Sequence, residues 1–298
     1  MEPTSTLTCS IPLVAAPFAM VCVLMLGLVF LIRATMEEPP REPVPSPSSP
    51  PSAAHFNRKD KRWAQLRRWA SLFRTPSLWL VYLQGIPGCV PWGVISAFLP
   101  DFLHADAGFS VREATLIVTA FTLGGLLGTH VGGQLGQALY NRSSQAPAAL
   151  MFSAGALGIV PMWTLVMHAP SGVAGCALLA VFGGFFASQT GPNIRCVLCN
   201  VTQSDQRGLA FAAFALADDV GKGVGPVAIA ALVGRLGRKK AFAWSMVFWL
   251  PCAVLCGATA LTVGADEARA RAGQKDHSHS RFDCSSEFED QQQRLLPL

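Results

Sequence analysis

Long apolar runs separated by short polar breaks dominate this chain. Seven runs stand out, at 12–32, 77–103, 114–136, 146–167, 172–190, 208–233 and 241–263. Each is near or above the ~20 residues a helix needs to cross a bilayer core of roughly 30 Å. The spacing predicts an all-α, polytopic membrane protein with about seven transmembrane helices. Five of the six breaks are short, so sequence neighbours are expected to run antiparallel. A signal peptide is the rival reading of the first run. No basic residue precedes it, and it exceeds the usual apolar core of such a peptide, so a true span is preferred.

Composition points the same way. Charged residues make up 14% of the chain and hydrophobic residues 51%, against roughly 25% charged in a soluble domain. There is too little polar surface to coat a water-facing globule. The net charge of +5 is not spread over a basic face interleaved with aromatics, so nucleic acid is not an expected partner. The lipid bilayer is.

The sixth break, between the first two spans, is the long one. Residues 34–57 are rich in Pro and Ser and read as a disordered linker. Arg58-Lys59-Asp60-Lys61-Arg62 follows, then Arg67, Arg68 and Arg74, with Trp63, Leu66, Trp69 and Leu72 at three- and four-residue steps. That pattern predicts a basic amphipathic helix over 58–74, either lying on an anionic leaflet or simply solvated beside the membrane. Four regions result: a single transmembrane helix at 1–33, a cytosolic linker with a basic helix at 34–76, a six-helix unit at 77–264, and a disordered cytosolic tail at 265–298. Placing the basic stretch in the cytosol follows the positive-inside rule. The loop at 234–240 runs against it, with Arg235, Arg238, Lys239 and Lys240 on the predicted outer side.

Inside the spans, polar residues are few and pointed. Asp218, Asp219 and Lys222 lie near the middle of the sixth run. A charge at such depth costs at least about 2.5–3.5 kcal/mol on insertion scales, so it faces a polar cavity or an internal partner. Asp218 and Lys222 are one helical turn apart and are expected to pair. Asp219 is then left over and becomes the carboxylate expected to be essential. The two readings are an ion or solute pathway and a self-neutralised structural pair. Gln84, Trp92 and Ser96 in the second run are expected to face the same pathway, and Gln189, Thr190 and Asn193 its inner mouth. Pro87 and Pro91, among three glycines, predict a broken second helix, and Pro226 a kink in the sixth.

The third run carries Gly124, Gly128, Gly132 and Gly136 at four-residue intervals. They form one strip on which another helix can pack closely. His130 reads as a packed or interfacial histidine. Five of the nine cysteines sit within apolar runs, and Cys196-x-x-Cys199 has no second pair at metal-site spacing. No metal or cofactor is expected. With no P-loop, G-x-S-x-G or H-E-x-x-H, an enzyme is not expected either.

Gly133-Gln134-Leu135-Gly136-Gln137 followed by Asn141-Arg142 resembles the loop motif of the major facilitator superfamily, with Gln137 where that motif has an aspartate. Leu83 to Gly93, and Asn200 through Gly208 to Asp218-Asp219-Val220-Gly221-Lys222-Gly223, resemble its spinster-like group. The resemblance implies half of a major facilitator fold: helix six, the central loop, and helices seven to twelve. It implies a secondary transporter of a small organic or amphiphilic, lipid-like solute, in which Gly133, Leu135, Gln137 and Arg142 belong to the loop motif. It also implies five helices that this sequence lacks. Either the sequence is a truncated form, or a second chain supplies the missing half. A non-transporting interaction protein is the alternative from another class.

Overall fold

The computed structural model describes residues 11–36, 72, 74–204 and 206–274, without the side chains of 11–17. The linker beyond residue 36, nearly all of the basic stretch at 58–74, and residues 275–298 lie outside the described residues. The chain forms two compact units, Met1–Asn57 and Arg58–Leu298.

The first unit contributes helix α1, Ile11–Thr35. Its side chains from Phe18 onward are apolar on every side up to Arg33 and Thr35. A helix with no polar face is one whose surroundings are apolar all round.

The second unit holds α2 (Pro76–Ala105), α3 (Val111–Tyr140), α4 (Ala146–Met167), α5 (Val173–Ser188), α6 (Thr190–Val201), α7 (Arg207–Leu236), α8 (Arg238–Met246) and α9 (Trp249–Ala258). A short 3-10 turn at Thr259–Leu261 leads into α10, residues 263–274. Among the described residues, six segments are long and apolar enough to cross a membrane: α1, α2, α3, α4, α5 with α6, and α8 with α9. Helix α7 matches them in length, at 30 residues. It falls short in composition because Asp218, Asp219 and Lys222 interrupt it.

Local chemistry fixes the helix ends. At α3, Ser110 Oγ accepts from Glu113 N while Glu113 Oε2 accepts from Ser110 N at 2.8 Å, a reciprocal cap. Helix α7 ends where Gly237 adopts φ +78°, a conformation open mainly to glycine. Both α2 and α7 run through their prolines as continuous helices. The broken second helix expected from Pro87 and Pro91 is therefore corrected. Between the two prolines, Trp249 Nε1 of α9 donates to Gly88 O at 3.2 Å, tying α9 to α2.

Helices pack as close pairs, α3 against α5 and α2 against α7, with α4 and α9 joining them. Glycines make this possible. A Cβ on Gly124 or Gly128 would run into the backbone carbonyls of Val181 and Phe185. One on Gly132 would lie 2.7 Å from Gln189 Cα, and one on Gly136 would collide with the Asn193 side chain. Asn193 Nδ2 donates to Gly132 O at 2.9 Å, locking α6 onto the same strip. The α2–α7 pair uses glycines from both sides, with Gly93 facing the Lys222 carbonyl and Gly221 and Gly225 facing those of Ile86 and Val90.

The tail differs from expectation over its first ten residues, which form α10. Asp266 and Glu267 are buried there. Helix α2 has no side-chain cap from Thr75. Instead Asp266 Oδ2 accepts from Ser77 N at 2.9 Å, and Arg269 pairs with its other oxygen at 2.7 Å. Glu267 accepts from Tyr140 Oη and pairs with Arg271. A carboxylate supplied from 189 positions away thus satisfies an orphan N–H at the start of α2. An Asp266→Ala protein is expected to lose about 1–3 kcal/mol, because that buried N–H loses its partner. The check is the thermal unfolding temperature of the purified protein, and an unchanged value would mean that this carboxylate does not hold α10.

Candidate functional site

Two apolar clusters fill the second unit. One includes Leu99, Leu103, Ile117, Met162 and Met246. The other includes Leu78, Val81, Met151, Leu198 and Cys256. Along α2 the second cluster takes residues 78–82 and the first begins at Val90. The polar residues fall between them, at mid-height. So do Asp218 and Lys222 on α7, between Phe214 of one cluster and Ile229 of the other.

A cavity of about 260 Å³ opens at this level. Helix α2 contributes Gln84, Cys89 and Trp92, and α7 contributes Phe214, Asp218 and Lys222. Thr190 and Arg195 come from α6, and Trp249 and Cys252 from α9. Gly85 makes room for the carboxylate: a Cβ there would lie 2.6 Å from Asp218 Oδ1. Cys89, Arg195 and Lys222 line the cavity together with Asp218. Gln84 is buried, donating to Val81 O at 3.0 Å and accepting from Cys252 Sγ at 3.2 Å. Trp92 bounds one end, its ring 5.4 Å from Phe121 and 6.2 Å from Trp249.

The charged triplet is arranged differently from the sequence expectation. Lys222 Nζ pairs with Asp219 at 3.4 Å, and the Asp219 side chain is 72% exposed. Asp219 does not line the cavity. The reason lies in the α2–α7 contact: Gly85 receives the Asp218 side chain, and the adjacent residue, turned about 100° around the helix, points away. The pair anticipated between Asp218 and Lys222 is thus replaced by Asp219 with Lys222, while Asp218 faces inward.

Ser96 is also corrected. It sits one turn past Trp92, beyond the aromatic end of the cavity, exposed and donating to Trp92 O at 2.8 Å. Gln189 and Asn193 are buried against the α3 glycines, and only Thr190 of that trio reaches the cavity. His130 is exposed beside Gln134. Gln137 donates to Asn141 at 2.9 Å at the end of α3, with Leu135 and Arg142 exposed and Gly133 half-buried. Cys196 and Cys199 are free thiols. Among the described residues no group of His, Cys, Asp and Glu is placed to hold a metal.

Arg195 is the residue that sequence reasoning missed. It falls at 191–207, read as a loop, whereas the chain continues as α6 to Val201. Ser188, Gly191 and Arg195 all line the cavity. Their three- and four-residue spacing is the signal that would have placed Arg195 on a helical face.

Comparison with known proteins adds a family context. A family model described as Major Facilitator Superfamily matches residues 81–289. The chain is 25% identical over 205 residues to the major facilitator superfamily multidrug transporter mdrA of Aspergillus fumigatus, covering 66% of this chain and 31% of that protein. It therefore spans about a third of the length of that curated relative. Among solved structures, it resembles a bacterial homolog to the human lysosomal transporter Spinster, in an inward-facing and unoccupied conformation. The TM-score is 0.58 at 15% identity, over 80% of this chain and 57% of that one.

Proposed function

Because the chain belongs to the Major Facilitator Superfamily, we propose that its second unit is one six-helix half of a secondary transporter and that the mid-height cavity is this half's share of a solute pathway. The observation that carries the reading is the meeting of Asp218, Arg195 and Lys222 in one cavity at the depth where charge is most costly. A purely structural ion pair needs no 260 Å³ of space beside it. Aromatic and aliphatic walls next to a few convergent charges suit a small organic or amphiphilic solute. In alternating access the site lies between two halves that rock about it. The facing half would come from further residues of the same polypeptide or from a second chain.

Arg195 is assigned the role of a solute-facing cation whose charge Asp218 balances. Uptake of fluorescent amphiphilic dyes of either charge into proteoliposomes tests this. Arg195→Gln is expected to lower uptake of at least one dye class about tenfold, the loss of one charge-assisted contact, with the protein still monodisperse. Uptake equal to the parent protein across the panel, for both Arg195→Gln and Lys222→Gln, would remove the cavity from the pathway. The multidrug description of the Aspergillus fumigatus relative supports starting with a chemically broad panel.

A further inference from the structure

The basic loop that runs against the positive-inside rule sits over an apolar groove. Arg235, Arg238, Lys239 and Lys240 fall at the junction of α7 and α8, all exposed. Arg238 is accounted for: it pairs with Asp101 and, at 3.1 Å, with Asp106 at the end of α2. Arg235, Lys239 and Lys240 make no ion pair among the described residues. Three uncompensated cations therefore crowd one membrane boundary.

Arg238, from the same basic loop, borders a groove of about 290 Å³ between the ends of α2 and α7. Phe98, Phe102, Ile229, Val233 and Phe242 line it, and Asp101 with Arg238 forms its polar rim. Phe102 and Phe242 meet edge to face at 5.2 Å, which makes the wall rigid. Phe98 and Ile229 each lie seven residues before their helix ends at Ala105 and Leu236, roughly 10 Å into the span. The groove thus begins at the headgroup level and runs inward to acyl-chain depth. It is separate from the solute cavity and shares no residue with it.

We propose that this groove holds an acyl chain of an anionic membrane phospholipid, whose phosphate rests on Arg235, Lys239 and Lys240. The apolar wall matches a hydrocarbon chain, the free cations match an anionic headgroup, and the Arg238–Asp101–Asp106 cluster fixes the rim between them. Lysine and arginine near a membrane surface favour anionic lipid, and the preference accumulates with each charge. This also accounts for a basic cluster on a side where the topology rule expects few.

The test uses the whole chain in nanodiscs, with phosphatidylglycerol or phosphatidylcholine carrying a photoreactive diazirine in one acyl chain. After illumination, adducts are mapped by peptide mass spectrometry. Phosphatidylglycerol adducts are expected on the segments 94–105 and 227–236, about tenfold or more above those of phosphatidylcholine. The triple variant Arg235→Gln, Lys239→Gln, Lys240→Gln is expected to erase that preference. Ala230→Trp, which fills the groove from an exposed position, is expected to remove adducts of both lipids from these segments while helicity and elution stay unchanged. Equal labelling by the two lipids overturns the proposal, as does a preference that survives the triple variant. Labelling that survives Ala230→Trp overturns it too, since a surface patch would then suffice. None of these outcomes depends on whether the cavity carries solute.

Discussion

An Asp218→Asn protein is expected to insert, fold and elute like its parent, and to lose dye transport by about ten- to a hundredfold. The substitution keeps the shape of the side chain and removes only its charge. Asp218 is the carboxylate that fits against Gly85 and faces Arg195 and Lys222 across the cavity. Without it Arg195 loses the carboxylate that shares its cavity, while Lys222 keeps Asp219, and an interaction with a charged group is worth about 1.5–3 kcal/mol. That is about one to two powers of ten in a binding or rate constant. Asp219→Asn is the matched control. Its carboxylate is exposed and 3.4 Å from Lys222, an arrangement worth about 0–1 kcal/mol in water, so transport is expected to stay within about threefold of the parent. Uptake into proteoliposomes decides between them. If Asp219→Asn abolishes transport and Asp218→Asn spares it, the inward-facing carboxylate has been misassigned.

That contrast also marks what the sequence conveys and what it withholds. The helices were legible, because a bilayer imposes a length and an apolar composition that show directly in the residue pattern. So was the depth of the charged triplet. Which of the two adjacent aspartates faces inward was not. Neighbouring residues differ by about 100° around a helix, and only the partner helix decides which direction is the interior. Here Gly85 decides it, from more than 130 positions away. Arg195 was hidden for a related reason: polar residues at 191–207 resemble a loop, yet the backbone continues helically because Asn193 and Gln189 bury their polar groups against the α3 glycines. The buried Asp266 cap was invisible because its partner, Ser77 N, is a backbone group that no side-chain pattern reports. The glycine strip on α3 was legible as a surface, but its partner was not. The same holds for Gly221 and Gly225, which press against the carbonyls of α2.

Gly128→Leu is expected to abolish the folded second unit, whereas Gly133→Ala five residues on is expected to be neutral or mildly stabilising. At Gly128 even a single Cβ collides with the Phe185 carbonyl, and that atom belongs to the α5 backbone, so no rotamer change relieves it. Relief requires α3 and α5 to separate, which also opens the contacts of Gly124 with Val181 and of Gly132 with Gln189. In lipid, helices are held together by close packing rather than by a hydrophobic force, so a lost contact of this kind is not recovered elsewhere. Overpacking a well-filled site typically costs about 1–3 kcal/mol, and a clash against backbone along a whole helix pair belongs at or above the upper end. Gly133 faces the other way: a Cβ there would meet Pro192 at 3.7 Å, an ordinary contact. Removing a glycine from a helix interior is then worth up to about 1 kcal/mol. Size-exclusion profiles and unfolding temperatures of the two variants in detergent make the comparison. A monodisperse, normally stable Gly128→Leu protein would show that α3 and α5 do not meet along this strip.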